Sequence, residues 1–99
     1  MTIYEHKALL PTAAGSVASS TLYIPGGLAR QLLIRANTAT TVFRADLKDE
    51  DGIIRRHYDF HRGEINDMEI RVALVGSYAV EITNATPDDT FRIVLSVEE

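Results

Sequence analysis

The run His57-Tyr58-Asp59-Phe60-His61 holds the densest set of side chains able to ligate a metal or move a proton. On a β-strand, residues two apart point the same way. His57, Asp59 and His61 would then share one face. By strand rise the two histidines stand about 13 Å apart, too far to hold one ion. At most one of them could ligate together with Asp59, and the further ligands that zinc needs must come from elsewhere. His6 is the remaining histidine. The plainer expectation is a solvated strand face, backed by Ile54, Tyr58 and Phe60 in the core.

Other groupings fail on spacing. Asp46, Asp49, Glu50 and Asp51 precede Gly52 in the manner of a calcium loop. Setting Gly52 at the sixth loop position puts Leu47 at the first and Tyr58 at the twelfth, where oxygen ligands are required. Asp49 and Asp51 therefore read as an acidic turn, the alternative being a looser calcium site that they would form with backbone carbonyls. Asp88 and Asp89 follow Pro87, where aspartate bonds nearby backbone amides. Gly15-Ser16-Val17-Ala18-Ser19 lacks the second glycine of a nucleophile elbow. Gly26-Gly27 is not followed by the Lys-Ser/Thr pair of a phosphate loop. The expectation is a protein that is not an enzyme, with no catalytic residues, no cofactor and no metal.

The elements that carry these residues read as strands, because apolar and polar residues alternate with period two over much of the chain. Thr2 to Leu10 is a first strand of imperfect alternation. Pro11 to Ser20 is small and polar, and reads as a flexible arm. Thr21-Leu22-Tyr23-Ile24 is a short strand stopped by Pro25-Gly26-Gly27. Leu28 to Ala36 is read as another strand, although Leu28, Leu32 and Ala36 also have helical spacing. Thr41 to Leu47 and Ile53 to Phe60 form a hairpin around Lys48-Asp49-Glu50-Asp51-Gly52, with Gly52 left-handed after a type I turn. His61 to Asp67 is a polar connection. Met68, Ile70, Val72 and Leu74 fall on one face of a strand that Gly76 ends. Tyr78, Val80 and Ile82, then Phe91, Ile93, Leu95 and Val97, alternate on either side of the turn cluster Asn84 to Asp89.

The sum is an all-β fold, a two-sheet antiparallel sandwich of about eight short strands, jelly-roll-like. Residues 1–20 make an N-terminal strand and flexible arm, and residues 21–99 the β-sandwich domain. The expected core includes Leu22, Ile34, Phe43, Tyr58, Ile70, Val80, Ile82, Phe91, Ile93 and Leu95. With 45% hydrophobic and 24% charged residues, the chain has the balance of a folded protein rather than a disordered one.

Charge and cysteine narrow the partners. The net charge of −4 argues against a general nucleic-acid binder, and Arg55-Arg56 is the only adjacent basic pair. The absence of cysteine excludes disulfides and thiolate zinc sites, and fits assembly in a reducing cytosol. The first residues do not read as a signal peptide, and no apolar run approaches the roughly 18 residues of a membrane helix. No membrane and no nucleic acid are expected among the partners.

The stretch from Thr21-Leu22-Tyr23-Ile24-Pro25-Gly26-Gly27 through Phe60, with the hairpin Tyr78 to Val97, resembles the small all-β virion proteins of tailed bacteriophages. Capsid decoration (cement) proteins are among them. The likeness is one of style over nearly the whole chain: short, cysteine-free, with tight loops and a small-residue N-terminal segment. It implies a non-enzymatic structural protein that binds and stabilises the capsid surface. Its location would be the virion, assembled in the host cytoplasm. Its partners would be the major capsid protein or another virion protein, and copies of itself in a homo-oligomer. Ile3, Tyr4, His6, Leu9, Leu10 and Pro11 are the expected contact residues. The hairpin Gly76 to Ile82 and Asp89 to Leu95 is also similar to the last hairpin of accessory jelly-roll domains in secreted bacterial enzymes. That likeness implies a ligand-binding module for carbohydrate.

Overall fold

Strands are the only regular elements among the residues described by the computed structural model, which are 3–11, 18–83 and 90–99. They are β1 (Ile3–Pro11), β2 (Ala18–Ala36), β3 (Val42–Asp49), β4 (Ile54–Arg62), β5 (Glu64–Asp67), β6 (Ala73–Thr83) and β7 (Thr90–Glu98). All strand pairs are antiparallel, in the order β1-β7-β2-β6-β3-β4, with β5 added against β2. The all-β expectation holds. The seven strands form one continuous sheet, an arrangement compatible with a two-layer sandwich.

Seven strands stand where about eight were expected, and β2 is the main reason. Its Ala18–Ile24 part pairs with β6, and its Leu28–Ala36 part pairs with β7. Pro25-Gly26-Gly27 does not end a strand but turns a corner within one. Proline has no N–H for the ladder, and the β6 register shifts between Ile24 and Gly27. A Cβ on Gly27 would lie 2.6 Å from the Glu98 carbonyl oxygen, so β7 can pack here only against a glycine. After the corner Leu32, Ile34 and Ala36 are buried in strand alternation, which settles the helix alternative for this segment.

Three other expectations need correction. The polar connection His61 to Asp67 contains the end of β4 and all of β5, whose Glu64–Asp67 pair with Arg35–Leu32. Gly63, at φ +76°, makes the bend between them and bonds to the backbone of Ala36 and Thr41. Met68 to Val72 is not strand. Ile70 is still fully buried and Met68 is exposed, and β6 starts only at Ala73 and runs through Gly76. Lastly, Ile54 and Phe60 are more than half exposed rather than core. Register irregularities set Asp59 and Phe60 together against Arg44, and leave Arg55 without an opposite residue. Each extra residue resets the alternation, so only Tyr58 of the three is buried.

All ten expected core residues are buried, and they belong to one cluster. It draws on β2, β6, β3 and β4 from one half of the sheet, and on β2, β7 and β5 from the other. Phe43 of β3 meets Phe91 of β7 edge to face, 4.9 Å between ring centres, across the core.

Candidate interaction surface

Among the described residues β1 and β4 each pair on one side only, as do β5 and the Ala18–Ile24 part of β2, and the β1 and β4 edges differ in kind. β1 pairs with β7 without a break, from Ile3 opposite Glu98 to Pro11 opposite Thr90. Its outer edge is thus nine residues of regular extended backbone. Ile3 and Tyr4 are 57% and 50% exposed on it. His6 is less open, with Nε2 3.2 Å from Glu99 Oε2. Glu5 and Lys7 are exposed, and among the described residues neither forms an ion pair. The expected contact residues Leu9, Leu10 and Pro11 lie on the same strand, with side chains outside the described residues. The small-residue arm falls partly outside them too, at 12–17, and its last residues, 18–20, belong to β2.

β4 carries the usual protections of a sheet edge. It is interrupted twice in register, and Arg55, Arg56, His57 and Asp59 crowd it with charge. Bulges and charges prevent another strand from adding on. β1 has a regular register and fewer charges.

The His57 cluster sits where β4 pairs with β3. His57 Nδ1 is 2.5 Å from Asp46 Oδ1, and Nε2 is 3.4 Å from Asp59 Oδ1. Asp46, then Asp59, raise the imidazole above its ordinary value of 6.5. His61 does not join them: its Nδ1 lies 2.7 Å from the Asp59 backbone carbonyl. Among the described residues no three histidines or carboxylates converge as metal ligands. Asp49 has both carboxylate oxygens engaged by its own turn. It accepts from the backbone N–H of Asp51 and Ile53, and pairs with Arg55. Gly52 is left-handed at φ +79° and donates to the Asp49 carbonyl, as the hairpin reading requires.

Beside this cluster, between β4 and β5, is an open polar cleft of about 490 Å³, bordered by Arg56, Tyr58, His61 and Asp67 among others. Tyr58 Oη donates to Asp67 Oδ2 at 2.8 Å, and Arg56 Nε reaches the same oxygen at 3.1 Å. Burial alone would raise the Asp67 carboxyl. The hydrogen bonds from Tyr58, the Glu69 N–H and Arg56 outweigh it and hold the group below the usual range. Burial, and the Asp67 carboxylate, push the Tyr58 phenol up. At neutral pH the carboxylate stays charged and the phenol stays protonated. The pair is a fixed structural link with no proton to exchange.

Sequence reasoning misses Asp67 because it places the residue in a polar connection, and no spacing ties position 67 to positions 56 and 58. Asp88 and Asp89 lie outside the described residues, and the Gly15-Ser16 string lies partly outside them. Compared with known proteins, the chain matches no family model and no curated protein.

Proposed function

We propose that this chain is a non-enzymatic structural protein that works by associating with other protein subunits through the open edge of β1. The observation that carries the reading is the contrast between β1 and β4, the strands at the two ends of the sheet path. An unbulged edge of nine residues is a ready template for another polypeptide, whereas the opposite edge is closed by bulges and charge. The pairing of His57, Asp46, Asp49 and Asp67 within the chain supports structural roles for them.

The assembly we propose is a virion shell, with the major capsid protein or another virion protein as the partner, as the resemblance to decoration proteins implies. Many modest contacts repeated over a shell add up through avidity. A carbohydrate module would favour a shared aromatic platform. The exposed aromatics Tyr4, Tyr23 and Phe60 sit on three different strands, β1, β2 and β4.

The test is cosedimentation with assembled capsids of the virus that encodes the chain. We expect the intact protein to sediment with them saturably, and the double variant Ile3→Lys with Tyr4→Lys to sediment less. A folded protein that stays in the supernatant while binding glycans saturably would overturn the proposal.

A further inference from the structure

We propose that the occupant of the β1 edge is a second copy of this chain, paired antiparallel so that His6 of one copy stands opposite His6 of the other. This rests on the reading of β1 as an association edge and names what pairs with its backbone; the capsid protein then meets the exposed side chains of the dimer, Ile3 and Tyr4 among them. A two-fold axis normal to the sheet keeps the core faces of both copies on the same side. Side chains that oppose each other then share a face, so the paired residue numbers must add to an even number. Among such registers the one centred on His6 sets Glu5 of each copy against Lys7 of the other. Ile3 then stands opposite Leu9, and Tyr4 opposite Ala8.

A shift by two residues in either direction sets Glu5 against Glu5 or Lys7 against Lys7. Opposite charges facing each other across strands stabilise a pair, and like charges destabilise it. β1 is thus self-complementary in one register and repelled from its neighbours. The two charges are exposed, and among the described residues neither has an ion-pair partner within the chain. The dimer would extend the sheet across two molecules and give any other contact surface a second copy.

Sedimentation equilibrium over a wide concentration range tests this. The natural chain should show a reversible monomer–dimer equilibrium. Glu5→Lys and Lys7→Glu should each weaken it about tenfold, because two attractive pairs become repulsive. An equimolar mixture of the two variants should dimerise again. In the mixed dimer the two lysines of one copy face the two glutamates of the other. Recovery on mixing cannot come from a misfolded variant. A natural chain that stays monomeric, or a mixture no tighter than its components, would overturn the inference. A monomer that binds capsids leaves the structural function standing without the dimer. A dimer that ignores capsids leaves the dimer standing without the shell.

Discussion

His57 shows how an exposed side chain is tuned by the strand beside it. Its neighbour Asp59 is two residues away and could be anticipated from strand alternation. Its closer partner Asp46 is 11 residues away, on the other arm of the hairpin. The pairing depends on a register that includes an extra residue at Arg55, which no spacing in the sequence marks. In an NMR titration the His57 imidazole should titrate above 6.5, and Asp46→Asn should bring it down. Because the folded value is the raised one, the stabilisation is fully present below the unfolded value of about 6.5. It is lost as pH rises through the folded value, so thermal stability should decline slightly across that window. The Tyr58–Asp67 link is more deeply placed, with Tyr58 9% exposed. Tyr58→Phe removes one hydrogen bond to a carboxylate and should lower stability by about 1–2 kcal/mol, read from the urea midpoint. No change would mean that Arg56 and the Glu69 amide satisfy Asp67 without it.

The elements are legible where a strand alternates against one neighbour, and obscure where it changes neighbours. Tyr78, Val80 and Ile82, and Phe91, Ile93 and Leu95, keep strict alternation, and all six are core as their pattern predicts. β2 exchanges β6 for β7 halfway, and its corner motif looks in sequence like a strand end. β5 is only four residues, too short and polar to stand out, and it exists because β2 offers it a partner. That β1 is an end strand of the sheet path is not legible in the sequence, since an edge is defined by what does not pair with it among the described residues. Gly63 and Gly52 separate conformational from steric cost. Both have positive φ, but a Cβ on Gly63 would lie 2.6 Å from the Ala39 carbonyl oxygen, and one on Gly52 would meet open space. Gly52→Ala should cost about 1 kcal/mol, the left-handed penalty alone. Gly63→Ala should cost roughly 2–5 kcal/mol, because overpacking against backbone adds to that penalty. Equal losses in denaturant unfolding would show that Ala39 simply moves aside.

At the scale of the whole molecule, β2 makes the two halves of the sheet one cooperative unit. It supplies Leu22 and Ile24 to the core from the half paired with β6, and Leu32 and Ile34 from the half paired with β7. Neither half buries its inner face without the other, and with no cysteine the chain has no cross-link to hold either one alone. Phe91 tests this unity, since it is fully buried on β7 and touches Phe43 on β3, in the other half. Phe91→Ala should lower stability by about 3–5 kcal/mol through lost burial and the cavity left behind. That is a large part of the roughly 5–15 kcal/mol of an ordinary domain. Its second signature discriminates better. If the halves are coupled through β2 and one core, far-ultraviolet and near-ultraviolet circular dichroism should report the same unfolding midpoint, in the natural chain and in the variant. Two separated transitions in the variant would mean that one half stays folded when the contact across the core is cut. The corner at Pro25-Gly26-Gly27 would then be a hinge between two folding units.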